Sequence, residues 1–185
     1  MNRVYGAFSP VSLDTQYGEN MPRQAAVALL LVQPALPRLV MIKRSIRDGD
    51  PWSGQMAFPG GHRDGAESLI ETAKRETLEE IGIDLSRGRL LGALPALRLP
   101  KRADLPQMVI HPFGFALESL PETALNMEVA SLHSFALDDL FGGVGRGEFV
   151  WQNKERPITL PEVRLGGVKI WGISLRIIDQ MLGRF

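Results

Sequence analysis

The sequence predicts an α/β fold in which a mixed sheet lies between helical layers. Three observations lead there. Residues 25–32 form a continuous apolar run, AAVALLLV, long enough for a strand buried on both faces and too short to span a bilayer. Residues 68–81 and 173–182 carry apolar side chains at spacings of three and four, the period of a helix. Short runs rich in β-branched and aromatic residues lie before and between them, punctuated by Gly and Pro.

Taken in order, residues 1–22 read as an irregular arm, with Pro10, Gly18 and Pro22, and residues 23–185 as a single domain. Residues 24–32 form a strand, and 38–43 its hairpin partner across Pro34-Ala35-Leu36-Pro37. Residues 55–58 make a short strand that leads into Pro59-Gly60-Gly61, where missing side-chain bulk lets the backbone bend and approach a ligand. In the helix at 68–81, Ile70, Ala73, Thr77 and Ile81 share one stripe, and Gly82 suits a left-handed cap. Residues 89–97, 108–117, 129–136, 149–153 and 168–171 read as further strands. The glycine-rich stretch 142–147 matches no nucleotide-binding fingerprint and reads as a mobile loop. Ile173, Ile177, Ile178 and Met181 line the face of the last helix.

Composition narrows the function. The chain has 185 residues, 44% hydrophobic and 23% charged, with a formal net charge of zero. No global basic field would recruit nucleic acid, and no polybasic run would recruit a membrane. The absence of cysteine excludes disulfides, thiolate zinc sites and a cysteine nucleophile, and fits a reducing cytoplasm. No signal peptide is expected, because Arg3 is not followed by an apolar core and cleavage site.

The chemistry concentrates in residues 61–83, GHRDGAESLIETAKRETLEEIGI. Glu76, Glu79 and Glu80 stand at i, i+3 and i+4 of the helix, so their carboxylates converge on one face. Lys74 and Arg75 offset only part of that charge. Converging carboxylates suit hard cations, Mg²⁺ or Mn²⁺, which take oxygen ligands and bring phosphate oxygens with them. His62, His111 and His133 form no ligand-spaced set.

The spacing of Gly61, Glu67, Arg75-Glu76, Glu79-Glu80 and Gly82-Ile83 resembles the Nudix box, Gly-x5-Glu-x7-Arg-Glu-U-x-Glu-Glu-x-Gly-U with U bulky and apolar. The one departure is Thr77, at the first U. The resemblance implies a Nudix fold, a three-layer α/β/α sandwich with a mixed sheet, and metal-dependent hydrolysis of a phosphoanhydride. It implies that Glu76, Glu79, Glu80 and the Gly61 carbonyl hold the metal, that Arg75 orients a carboxylate, and that Glu67 braces the loop–helix unit. The general base is open among Glu79, Glu80 and, outside the box, Glu128.

Outside the box the chain resembles the coenzyme A pyrophosphatase branch. Arg44-Ser45 and Phe58-Pro59-Gly60-Gly61 are similar to its upstream motif, and His111-Pro112-Phe113, Asn126-x-Glu128-Val129 and Ile170-Trp171-Gly172 to its downstream segments. Between Ser45 and Gly54 the chain is one residue longer than that motif, and the motif's second arginine has no counterpart in register; Arg47 is nearby. Coenzyme A or its thioesters is the first expected substrate. ADP-ribose, nucleotide sugars and other nucleoside diphosphates linked to a second group are alternatives, and a nucleotide-sensing regulator is the non-enzymatic one. Candidate substrate contacts are Arg44 and the basic loop of Arg98, Lys101 and Arg102 for phosphate, and Trp52 for stacking. The expected partner is a small nucleotide, without nucleic acid or membrane; a homodimer is left open.

Overall fold

In the computed structural model, residues 4, 6–10, 22–33, 35–101, 107–152 and 156–184 are described. Most of the segment ahead of residue 22, and Arg102, lie outside them.

The apolar run at residues 25–32 sets the architecture. Strand β1 (Arg23–Val32) alternates its side chains between two cores. Ala25, Leu29 and Leu31 enter one, and Ala26, Ala28, Leu30 and Val32 the other. A strand buried on both faces has no reason to alternate polar and apolar residues, and this one does not. On its one edge β1 pairs in parallel with β7 (Met108–Leu117) over its whole length. On the other it pairs antiparallel with β2 (Arg38–Arg44) at Leu30 to Val32, and with β4 (Gly60–His62) at Ala25 to Val27. The β1 and β2 strands thus share a hairpin end and then part. The β3 strand (Met56–Ala57) follows β2, so residues 56–62 cross between the parted ends. Strand β8 (Val129–Ala136) covers the far edge of β2. Strands β5 (Arg89–Ala93) and β6 (Leu97–Leu99) lie along β7.

Helix α1 (Leu69–Ile81) covers one face through Leu69, Ala73 and Ile81. The other face is covered by the short α2 (Leu137–Gly142) and by α3 (Gly172–Met181) through Leu175, Ile177, Ile178 and Met181. A second sheet of β9 (Arg146–Gln152), β10 (Pro157–Leu165) and β11 (Val168–Trp171) joins this side through Val163 and Ile170. Helix, mixed sheet and helix make the expected three layers. Val4 and Phe8 are buried in the α3-side core, and Ser9 exchanges two main-chain hydrogen bonds of 2.9 Å with Ala93.

Two local readings of the sequence are corrected and two are completed. The single strand expected at 89–97 is two, interrupted around Pro95, with an irregularity between Leu90 and Gly92. The glycine-rich stretch is not a loop: it closes α2, turns at Gly143 in the left-handed region, and begins β9 at Arg146. Gly145 there presses so close to Arg164 that a Cβ would lie 2.0 Å from its carbonyl oxygen. Strand β10 has no counterpart among the expected strands; it carries Pro157 and Pro161, residues uncommon within a ladder. The helical stripe takes in buried Leu69 beside Ile70, which is half-buried and packs against the same core.

The ends of α1 are made locally. Ser68 and Glu71 form a capping box, so Glu71 belongs to the helix end. At the other end Gly82 takes φ 74°, and its N–H donates to the Leu78 carbonyl. A Cβ there would stand 2.9 Å from the Ala124 nitrogen. Gly82→Ala is therefore expected to destabilise the fold by about 1–3 kcal/mol, from left-handed strain plus that contact. Urea unfolding of the two proteins measures it.

Candidate active site

The site is built where the Gly60–Gly61 turn meets α1. Gly60, at φ 150°, lies against β1 so closely that a Cβ would meet the Ala26 oxygen at 2.2 Å. Its N–H donates to Glu80 at 2.9 Å. At Gly61 a Cβ would stand 2.4 Å from the carboxylate carbon of Glu76. Both glycines are thus required by close approach: the first to the sheet, the second to an acidic side chain. At the far end of α1, Asn126 and Ala124 donate main-chain N–H groups to the Glu80 and Ile81 carbonyls, each at 3.0 Å. The Asn126 side chain accepts from the Glu128 N–H at 2.8 Å. This arrangement brings Glu128 to the cleft.

Arg75 is the hub of the acidic cluster. It donates to Glu67 through Nε at 3.1 Å and Nη2 at 2.8 Å, to Glu76 at 2.9 Å, to Glu79 at 3.3 Å, and to the His62 carbonyl at 3.1 Å. The paired hydrogen bonds from Arg75 hold the Glu67 carboxyl down to about 2, against the opposing effect of its burial. Glu76 goes the other way: burial raises it, more than Arg75 lowers it, and Glu79 and Glu128 add repulsion. Glu80 is only 3% exposed. Burial, with the Glu76 and Glu128 charges, pushes its carboxyl up to about 7, although the Gly60 N–H and Arg44 oppose this. Two like charges are here pressed into a partly dry wall, a configuration that a bound cation relieves.

Thr77, the departure from the box, is fully buried, and its hydroxyl donates to the Ala73 carbonyl at 2.7 Å. The helix main chain thus satisfies its polar atom, and threonine serves at an apolar position.

The glutamates open into a cleft of about 480 Å³. Its lining includes the acidic Glu76, Glu79, Glu80 and Glu128 with Gly61, and the apolar Trp52, Met56, Met108, Ile110, Ile173 and Ile177. Arg44 and Trp52, both expected at the substrate, line this cleft. Arg98 and Lys101 do not, and Arg102 is outside the described residues. Arg98 lies in β6 beside Val109, whereas its neighbours Leu97 and Leu99 pair with the cleft-lining Ile110 and Met108. His62, which forms no ligand-spaced set with the other histidines, lines the cleft too.

Comparison with known proteins decides the family. The model of the NUDIX domain matches residues 21–155, most of the chain. The chain belongs to the Nudix hydrolase family. It is 31% identical over 163 residues to the Nudix hydrolase NudL of Pectobacterium atrosepticum, covering 86% of this chain and 81% of that one. It is 27% identical over 165 residues to the mitochondrial coenzyme A diphosphatase NUDT8 of Mus musculus, covering 86% and 78%. An uncharacterized protein of Schizosaccharomyces pombe is 40% identical over 111 residues, 57% of this chain but only 34% of that one's length. Among solved structures, the Nudix domain of Shewanella oneidensis NrtR complexed with ADP-ribose superposes with a TM-score of 0.58 at 16% identity, covering 89% of this chain and 90% of that one. That likeness shows the fold.

Nudix hydrolases act on nucleoside diphosphates linked to another group and use divalent cations. The residues here fit such an ion in chemistry: every donor on the cluster is oxygen, and the missing side chain of Gly61 leaves the gap that the Glu76 carboxylate occupies. Among the described residues no three acidic or histidine side chains stand grouped as a ready ion site. Glu76 and Glu79 are turned onto Arg75, and Glu80 onto the Gly60 N–H. Each of these contacts leaves the carboxylate further acceptor capacity.

Sequence reasoning missed Asp50, which pairs with Arg44 at 2.7 Å, and the pairing of Arg47 with Glu128 at 3.0 Å. The signal available was the extra length of 45–54, which showed that something is inserted but not where it points.

The depressed Glu67 carboxyl gives a signed expectation. A carboxylate whose folded pKa lies below its unfolded value stabilises the fold fully above the unfolded value, near 4.5, and loses that contribution as pH falls through about 2. Glu67→Gln should therefore be less stable than the parent at neutral pH, the gap narrowing from about pH 4.5 downward. Thermal melts of both proteins between pH 7 and 2 read this; a pH-independent gap contradicts it.

Proposed function

We propose that this Nudix hydrolase cleaves the phosphoanhydride of coenzyme A or its thioesters with water, giving 3′,5′-ADP and 4′-phosphopantetheine or its acyl form. For the anhydride chemistry, the supporting observation is the cleft in which Glu76, Glu79, Glu80 and Glu128 stand with Arg44. For coenzyme A, it is the likeness to the mouse coenzyme A diphosphatase over most of this chain, together with the flanking segments Phe58 to Gly61 and His111 to Phe113.

Glu76, Glu79, Glu80 and the Gly61 carbonyl would hold Mg²⁺ or Mn²⁺. When bound, the ion neutralises the diphosphate and the charge that develops as the P–O bond breaks. Arg44 meets a phosphate oxygen from the β2 side. Water attacks one phosphorus in line, and the bond from that phosphorus to the bridging oxygen breaks, leaving two phosphate monoesters. The proton lost by the water goes to a cleft carboxylate, with Glu79, Glu80 and Glu128 as candidates. Arg75 keeps Glu76 and Glu79 in place, and Glu67 keeps Arg75 in place. The apolar wall of Trp52, Ile173 and Ile177 receives the part of the substrate beyond the diphosphate. Glu76, Glu79 and Glu80 are all present, which favours an enzyme over a sensor.

Glu79→Gln and Glu80→Gln should each lower kcat by at least about a hundredfold while the protein still folds, since glutamine at 80 can accept the Gly60 N–H. Steady-state rates with Mg²⁺ and Mn²⁺, alongside melting curves, test this; full activity in a folded variant contradicts it.

Substrate identity is tested by incubating the enzyme with coenzyme A, acetyl-coenzyme A, dephospho-coenzyme A, ADP-ribose and a nucleotide sugar, with products identified by mass spectrometry. The expected result is fastest release of 3′,5′-ADP from coenzyme A or its thioester. Rapid cleavage of ADP-ribose or the nucleotide sugar alone removes the coenzyme A reading and leaves the Nudix chemistry standing.

A further inference from the structure

Arg44 is the one arginine or lysine side chain that lines the cleft among the described residues. Its main chain is fixed by pairing: the N–H donates to the Gln55 carbonyl at 3.0 Å. Its side chain is fixed by Asp50. Nε and Nη2 of the guanidinium both donate to one oxygen of Asp50, at 3.3 and 2.7 Å, and the other oxygen accepts the Trp52 N–H at 2.9 Å. Asp50 does not line the cleft. It grips the guanidinium by one edge, and Nη1 makes no hydrogen bond to a described residue.

The loop that carries Asp50 is held within itself. The Arg47 N–H donates to the Ser53 hydroxyl at 2.7 Å, the Ser53 N–H to the Asp50 carbonyl at 3.1 Å, and the Gln55 N–H to the Trp52 carbonyl at 3.1 Å. Gly49 and Gly54, at φ 80° and 70°, make its turns. A long arginine side chain on a strand end ordinarily loses much rotamer freedom when it grips a ligand. Here Asp50 already restricts that freedom, and the Nη1 of this cleft-lining arginine is left without a hydrogen bond to a described residue.

We propose that Asp50, from the inserted loop, is a positioning residue that presents the Nη1 edge of Arg44 to a phosphate oxygen of the substrate's diphosphate. The proposal rests on the reading that Arg44 meets the substrate. It assigns a purpose to the extra loop length: a carboxylate behind the arginine, paired with it, so that the cleft's cation is aimed rather than free. A contact of this kind acts on the diphosphate before and during the reaction alike. Its loss therefore appears in KM and leaves kcat largely unchanged.

The test uses the full chain and whichever compound of the panel it hydrolyses fastest. Asp50→Asn keeps an acceptor for the Trp52 N–H and removes the charge that holds Arg44. Asp50→Glu keeps the charge at a longer reach. The variants are compared with Arg44→Ala and the double variant Arg44→Ala/Asp50→Asn, each checked by melting. Methylenediphosphonate, a diphosphate that cannot be hydrolysed, serves as competitor. The expected result for Asp50→Asn is a rise of about tenfold in both KM and the competitor's inhibition constant, with kcat within about twofold, and partial recovery in Asp50→Glu. The double variant should behave like Arg44→Ala alone. A KM that stays unchanged or falls in Asp50→Asn overturns the proposal, the fall showing that Asp50 competes with substrate for Arg44. A rise that persists in full in the Arg44→Ala background overturns it too. Arg44→Ala with an unaltered KM removes the reading of Arg44 itself, and the proposal with it. In each case the parent's turnover of the panel stands as a separate result on the diphosphatase reading.

Discussion

The site depends on one guanidinium. Three glutamates within two helical turns repel each other, and the helix that carries them is also a core element with Ala73 and Ile81 against the sheet. Arg75 reconciles the two demands. It touches Glu67, Glu76, Glu79 and the His62 carbonyl at once, so it binds the glycine turn to the helix while it offsets negative charge. Glu67 takes the Nε–Nη2 edge of the guanidinium, away from the Nη1 that meets Glu76 and Glu79, and Arg75, with the Asp64 N–H and the Thr72 hydroxyl, keeps its carboxyl ionised. The separation of eight residues between Glu67 and Arg75 is the reach of a loop end back to the helix's second turn.

Glu80 shows what the arrangement costs. A carboxylate almost wholly buried, with its pKa near neutrality, is a poor contributor to stability. The fold retains it by setting it against the Gly60 N–H and by surrounding the site with well-satisfied structure: a capping box at one end of α1, a left-handed glycine at the other, and two N–H groups from residues 124 and 126 on the last carbonyls. Local rules are obeyed around the site and broken within it, as expected where binding of an ion has to be favourable.

Much of this was legible in the sequence, for physical reasons that differ by element. Helix α1 could be bounded to within a residue, its far end because Gly82 is a chemically specific cap; the Ser68–Glu71 capping box at its start went unread. The two-sided burial of β1 could be read from an unbroken apolar run. Strand β10 could not, since its two prolines speak against a ladder and its partners β9 and β11 are distant constraints that no local pattern records. The glycines at 142–147 suggested looseness, but Gly145 is there because Arg164 presses against it. Charge alone picked out Arg98 and Lys101, and strand alternation then turned Arg98 away from the cleft. Arg44, which does line the cleft, was singled out because Arg44-Ser45 is similar to the upstream motif of the coenzyme A branch. Asp50, its partner, sits in a loop with no periodicity to read.

The parting of β1 and β2 has a wider consequence. The β1 prong, through β4, carries the glycine turn and leads to the glutamate helix. The β2 prong, through β3 and residues 45–54, carries Arg44, Asp50 and Trp52. The box glutamates of α1 and the residues proposed to meet the substrate are therefore mounted on separate arms, which share the hairpin end and the short crossing at residues 58 and 59, while Glu128 stands beside the β2 arm through Arg47. The glycine turn takes its register from β1 through β4, whereas residues 45–54 hang between β2 and β3. On the proposed reading, the fork separates what holds the ion from what selects the nucleotide, and a ten-residue loop carries the selection.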